Sequence, residues 1–215
     1  MITDERTEAY IESLTSAKPQ FLSELEKKAK ADGIPIIRPS AQSLLAFVLA
    51  DVKPERILEL GAGVAYSSIF MITYAPHAHV DTIENYEKRI AEAKKNIAEA
   101  DMKDKIELIE GDAMEVIEDM ASSGRVYDMI FIDAAKAQYV NYLPVCKKLL
   151  RKGGVLVSDN VLFDGDIVES RFAIRRRDRT IHARMREYLR MISEDEDLVT
   201  TILPIGDGMT LSVLR

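Results

Sequence analysis

A single cysteine, Cys146, among 215 residues leaves no partner for an internal disulfide, which fits a reducing cytoplasm. Its expected role is that of a small apolar side chain buried in a helix, not a catalytic thiol. Long apolar runs are also missing. The stretch Ala41 to Ala50 is interrupted by Gln42 and Ser43 and is far too short to span a bilayer. Asp4, Glu5 and Arg6 stand where a secretory signal would need an apolar core, so export is not expected. Histidines number three: His77, His79 and His182. They are scattered, with no carboxylate at a ligand spacing, so they read as surface residues and not as a zinc site. No Ser-His-Asp arrangement can be argued, and there is no internal repeat or low-complexity tract. Positive charge is in deficit. A net charge of −7 argues against a chain that binds nucleic acid over its whole surface.

What is present is enough apolar material, 47% of the residues, for one sizeable core. The expected organisation is one domain over 1–215, with an N-terminal helical extension at 1–52 and a core at 53–215. Three helices are expected at 4–14, 18–31 and 40–51, the last capped by Ser40. The proline-rich Gly33-Ile-Pro-Ile-Ile-Arg-Pro39 reads as an extended connector. From Arg56 onward strand patterns near 56–60, 79–84, 105–109, 127–132 and 153–158 alternate with helix patterns near 66–75, 86–101, 112–122 and 138–151. That rhythm predicts right-handed βαβ units and a mostly parallel sheet. A helix near 172–193 then leads to strands near 198–203 and 209–214. Gly206-Asp-Gly208 between them suits a tight hairpin, so the last strand should run antiparallel.

Two acidic groups end apolar runs. Asp133 closes Tyr127-Asp-Met-Ile-Phe-Ile-Asp133 and is trailed by Lys136, and Asp159-Asn160 closes Val155-Leu-Val-Ser. Ligands of a parallel sheet bind just beyond the strands' carboxyl ends. Neighbouring strands would aim Asp133, Asp159 and the Asn160 amide oxygen at one point, a hard oxygen set suited to Mg²⁺. The competing reading is that each Asp caps the helix after it. For Lys136 the alternative is a surface lysine paired with Asp133.

Arg56-Ile-Leu-Glu-Leu-Gly61-Ala-Gly63 runs from a strand into a helix, and its glycines permit a close ligand approach. The third glycine of a dinucleotide fingerprint is absent, its place taken by Tyr66, which disfavours a pyrophosphate ligand and a nicotinamide cofactor. An adenosine cofactor still fits the turn. Glu84, twenty-one residues after Gly63, ends the next strand where a carboxylate accepts from ribose hydroxyls. Gly111-Asp112-Ala113 ends the third strand, where an adenine edge would lie. A tight turn plus a cap is the alternative for the Gly-x-Gly alone.

With these motifs in order, the chain resembles the Mg²⁺-dependent, S-adenosylmethionine-dependent O-methyltransferases, the class of catechol and caffeoyl-CoA O-methyltransferases. The resemblance runs from about Ile34 and rests on Glu59-Leu-Gly-Ala-Gly63, Glu84, Gly111-Asp112-Ala113, Asp133-Ala-Ala-Lys136 and Asp159-Asn160. It implies a Rossmann-like class I methyltransferase α/β fold with a seven-stranded sheet. It also implies that Asp133, Asp159 and Asn160 hold the metal and that Lys136 is the general base. Glu59, Gly61, Gly63, Tyr66, Ser67, Glu84, Gly111, Asp112, Ala113 and Asp133 would form the cofactor site. Ser67 reads equally well as a plain first-turn residue. Members of this family often form two-fold dimers, to which the N-terminal helices and the Ala41 to Ala50 face could contribute.

Positive charge gathers in one place. Arg171, Arg175, Arg176, Arg177, Arg179, Arg184, Arg186 and Arg190 face only Asp178 and Glu187 in their segment. Asp159-Asn-Val-Leu-Phe-Asp-Gly165, Arg175-Arg-Arg177 and Pro204-Ile-Gly-Asp-Gly208 look like the bacterial branch that methylates 5-hydroxyuridine at the tRNA wobble position. On that reading the partner is a tRNA anticodon loop, and Arg38, Arg175, Arg176 and Arg177 contact RNA near the mouth of the active site. The alternatives are O-methylation of a small diphenol and a non-catalytic adenosine-binding module.

Overall fold

The computed structural model describes residues 5–14 and 18–215. Three helices, α1 (Glu5–Ser13), α2 (Gln20–Ala31) and α3 (Pro39–Val52), come first. The core then runs β1 (Arg56–Leu60), α4 (Tyr66–Tyr74), β2 (His79–Glu84), α5 (Glu87–Glu99), β3 (Ile106–Glu110), α6 (Ala113–Ser122) and β4 (Tyr127–Ile132). It continues with α7 (Tyr139–Leu149), β5 (Leu150–Ser158), α8 (Arg179–Glu194), β6 (Leu198–Leu203) and β7 (Met209–Leu214). The seven strands form one sheet in the order β3-β2-β1-β4-β5-β7-β6. β7 is antiparallel to both neighbours, and the β1 to β5 pairings are all parallel.

Strands β1 and β4 are apolar on both faces because both faces are covered. Ile57 and Met129 pack under α2 to α5 on one side, and Leu58 and Ile130 pack under α6 to α8 on the other. Burying one such side chain contributes about 1.5–3 kcal/mol. The order of strands reverses between β1 and β4, so the connections after them diverge. A crevice opens there, above the carboxyl ends of β1, β2, β4 and β5.

Three departures from the sequence reading have identifiable physical causes. Helix α3 starts at Pro39 with Arg38 as its N-cap, and not at a Ser40 cap. Proline is well suited to the first helical position, since it lacks the N–H that would be left without a partner there. Strand β5 begins at Leu150, three residues early, because a register shift against β4 absorbs the glycines. Helix α8 starts at Arg179 instead of near 172. Its buried stripe of His182, Met185, Tyr188 and Ile192 has no apolar counterpart in the run Arg175 to Arg177, which stays in a turn. The Arg179 guanidinium donates back to the Ile174 carbonyl at 3.1 Å and holds that turn. Asp4, the expected first residue of α1, lies outside the described residues. Cys146 is buried within α7, as expected, and no described helix is long and apolar enough to cross a membrane.

Candidate active site

The glycine loop is shaped by where it must pass. Gly61 has φ +97°, and a Cβ there would lie 2.9 Å from the Asp133 carbonyl carbon and 3.2 Å from Ala134 Cα. No residue with a side chain fits that close approach of β1 to β4. The Gly63 N–H donates to Glu84 Oε2 at 2.8 Å, and the N–H groups of Asn85 and Tyr86 donate to Oε1 at 3.0 and 2.9 Å. Three backbone donors therefore aim the Glu84 carboxylate into the crevice. Asp112 accepts from the Met114 N–H at 2.9 Å and caps α6 through Oδ1, which leaves its other oxygen available. Gly61, Gly63, Glu84, Asn85 and Asp112 line one cavity of about 810 Å³.

The two strand-end acids meet across β4 and β5. Asn160 Nδ2 donates to Asp133 Oδ1 at 2.8 Å, and the Asn160 N–H donates to Asp159 Oδ1 at 2.7 Å. Asn160 holds a left-handed φ of +62°, which brings its amide back toward both carboxylates. Neither Asp begins a helix, so the capping alternative does not apply; the 3₁₀ turn after β4 is capped by Ala135. Asp159 is 3% exposed. Its pKa is pushed up to about 7, first by burial and then by the negative charge of Asp133, and burial likewise raises Asp133. Two carboxylates that repel one another, Asp159 buried and Asp133 half-buried, beside an amide oxygen are a donor set that a divalent cation would satisfy, and the all-oxygen chemistry fits Mg²⁺.

Lys136 lines the same cavity and forms no ion pair with Asp133; its Nζ lies 5.2 Å from the centre of the Phe163 ring. Tyr66, Ser67, Gly111 and Ala113 also line it. The Tyr66 hydroxyl, however, points away and donates to Gln42 Oε1 at 3.1 Å, tying α4 to α3. Glu59, expected in the cofactor site, is fully buried beneath the loop and outside the described cavity wall, where it accepts from Ser68 and from Thr82 at 2.6 Å. Burial raises it to about 7.

Arg38 does reach the cavity, but it arrives paired with Asp207 at 2.6 Å. Sequence reading missed Asp207, which it treated as part of a hairpin turn, and also the wall formed by Pro35 and Ile36. Their only signal was the Gly206-Asp-Gly208 motif and the extended connector. Arg175, Arg176 and Arg177 are exposed and outside the cavity wall. His77 and His79 are exposed as expected, but His182 is buried, because it falls on the inward stripe of α8.

The raised acids set a pH dependence. Native Asp133, Asp159 and Glu59 keep protons that the unfolded chain releases near pH 4. The folded state therefore binds more protons between about pH 4 and 7, and stability falls as pH rises through that window. The melting temperature of metal-free protein should be lower at pH 8 than at pH 5.5, and added Mg²⁺ should raise it more at pH 8. A melting temperature that climbs over this range would contradict the paired-acid geometry.

Residues 12–215 match the model of the O-methyltransferase family. A catechol O-methyltransferase of Mycobacterium tuberculosis is 29% identical, with 97% of this chain and 94% of that protein covered. A caffeoyl-CoA O-methyltransferase of Stellaria longipes is 28% identical over 98% and 90%. A solved Staphylococcus aureus structure, 29% identical, superposes with a TM-score of 0.91 over 98% of this chain and all of that one. An O-methyltransferase of Streptomyces achromogenes, solved in complex with S-adenosylmethionine, gives 25% identity and a TM-score of 0.83 over 98% and 96%. With the family match spanning nearly the whole length and the same fold in its solved relatives, the chain belongs to the O-methyltransferase family.

Proposed function

We propose that this chain uses S-adenosylmethionine and Mg²⁺ to methylate one of two adjacent oxygens on an acceptor, with a catechol-like or caffeoyl-CoA-like diphenol as the substrate class. The observation that carries the proposal is that Asp133, Asp159, Asn160 and Lys136 line the same cavity as Gly61, Gly63 and Glu84. Asp133, Asp159 and Asn160 would hold the cation. When bound, S-adenosylmethionine supplies a methyl group on a sulfonium, and the cation supplies Lewis acidity at the acceptor oxygens. Glu84 accepts from the ribose hydroxyls, and the glycine loop lets the cofactor lie against the backbone. Lys136 Nζ takes the proton of the attacking hydroxyl. Pro35 and Ile36 line the cavity from the connector before α3 and give it an apolar side. The diphenol class is supported by the named relatives in Mycobacterium tuberculosis and Stellaria longipes.

A second reading, methylation of 5-hydroxyuridine at the tRNA wobble position, is favoured by the exposed Arg175 to Arg177 run. One experiment separates the readings: supply S-adenosylmethionine with a diphenol or with hydroxyuridine-containing tRNA, with and without EDTA, and find the methylated product by mass spectrometry. Diphenol product alone supports the first reading. Product on tRNA, lost in a salt-dependent way when Arg175, Arg176 and Arg177 are all changed to Gln, supports the second. Cofactor binding with no product from either acceptor returns the non-catalytic module, and full turnover in EDTA removes the metal.

Glu84→Ala should weaken S-adenosylmethionine binding at least about tenfold, since one charge-assisted hydrogen bond contributes roughly 1.5–3 kcal/mol. An unchanged dissociation constant in calorimetry would remove Glu84 from the cofactor site. We also propose a two-fold dimer through α1 and α3, where Tyr10, Leu14 and Phe47 are exposed. Light scattering at micromolar concentration should give twice the chain mass, and a monomer mass would exclude it.

A further inference from the structure

The arginine-rich segment that stays out of the active-site wall frames a second cavity. It measures about 610 Å³, and Glu169, Ser170, Arg171, His182, Ala183 and Arg186 line it. His182 sits in the first turns of α8, at the edge of the helix's buried stripe. It is 2% exposed, and its Nε2 has no hydrogen-bond partner among the described residues. A buried polar nitrogen without a partner is uncommon in native proteins, and a turn of the imidazole toward the cavity it lines would give Nε2 one.

The remaining wall is rich in donors. Arg186 spends Nη1 on the Ile167 carbonyl at 2.8 Å and keeps its other N–H groups. Ser170 Oγ accepts from the Phe172 N–H at 3.3 Å, which leaves its hydroxyl proton to donate. Arg171 is exposed at the mouth. Among the described residues of the wall Glu169 is the one carboxylate, and two guanidinium groups outweigh it. Donors converging from a loop and a helix suit an oxyanion, and paired guanidinium groups suit phosphate in particular. Val168 in the wall is 79% exposed and Phe172, next after Arg171 in the chain, is 86% exposed, apolar surface on which a flat base can stack.

We propose that this second cavity binds the phosphate group of a nucleotide, either free or within RNA, with His182, Arg171 and Arg186 as the donors. The site stands apart from the methyl-transfer reading, and its test does not use turnover. Calorimetry on the full chain with UMP and with a short oligouridylate, for wild type, Arg171→Gln and His182→Gln, decides it. UMP binding that weakens at least about fivefold in both variants supports the site and assigns it to free nucleotides. Binding of the oligouridylate alone, with the same loss, supports the site and assigns the phosphate to RNA. If His182→Gln fails to fold, Arg171→Gln, on an exposed turn, carries the test alone. No binding of either probe at millimolar concentration, or binding that the folded variants leave unchanged, overturns the proposal.

Discussion

Asp159→Asn should lower methyl transfer by at least about a hundredfold while leaving S-adenosylmethionine affinity within a factor of about two. The substitution keeps the shape of the side chain and an oxygen that can still accept the Asn160 N–H, so the local backbone is retained. It removes one of the two carboxylate charges that would hold the cation, in a place where the ligand count is already small. Glu84 and the glycine loop are separate from this change, and for that reason cofactor binding serves as the internal control. Stability should move the opposite way to activity. Burial and the charge of Asp133 push Asp159 up to about 7, so at pH 8 the native state carries a buried repulsion that the amide removes. The variant should therefore melt no lower than wild type at pH 8 without metal. Retained turnover would end the metal assignment, and a large loss of stability at pH 8 would mean that the carboxylate is held by something other than its repulsive neighbour.

Gly61→Ala should be strongly damaging for a single added methyl group. Its Cβ would fall inside contact distance of the Asp133 carbonyl, 2.9 Å from the carbon, and the obstacle is backbone on both sides, which no rotamer change relieves. The left-handed φ of +97° adds strain for any residue but glycine. Strain and overpacking of this kind cost about 1–3 kcal/mol each. In a chain of this size that is a drop of roughly 5–20 °C in melting temperature. The β4 end that must give way carries Asp133, so cation-dependent activity falls with stability. Gly63→Ala is the matched control: φ is +54° and nothing lies within 4 Å of the added Cβ, so only the backbone strain remains. Equal losses from the two variants would show that close approach at Gly61 is not what requires glycine there.

The parts of this protein that were legible in its sequence are those whose physics is local. An apolar run ending in Asp133, another ending in Asp159-Asn160, and a strand that breaks into Gly61-Ala-Gly63 each declare a strand end, and in a parallel sheet strand ends collect on one side. Parallel pairing of β1 with β4 and of β4 with β5 then brings those ends together with no further information. The antiparallel last strand followed from the tight turn at Gly206-Asp-Gly208 by the same kind of argument.

What the tertiary structure alone decided involves partners far apart in the chain. Arg38 and Asp207 meet because the connector before α3 and the β6–β7 turn close on the same crevice, and neither residue's neighbours announce the other. Glu59 stands beside Gly61 and Gly63 of the cavity wall in sequence, yet the pleat turns its side chain into the core, where Ser68 and Thr82 receive it. His182 lies among arginines, but the rotation of α8 against α7 places it on the buried face. The arginine run follows the metal-type ligands closely in sequence and still lies outside the described active-site wall, exposed in the turns that precede α8. Local pattern determines which residues end a strand or face a core, whereas which distant side chains share a cavity depends on how the helices pack, and that packing is a property of the whole chain.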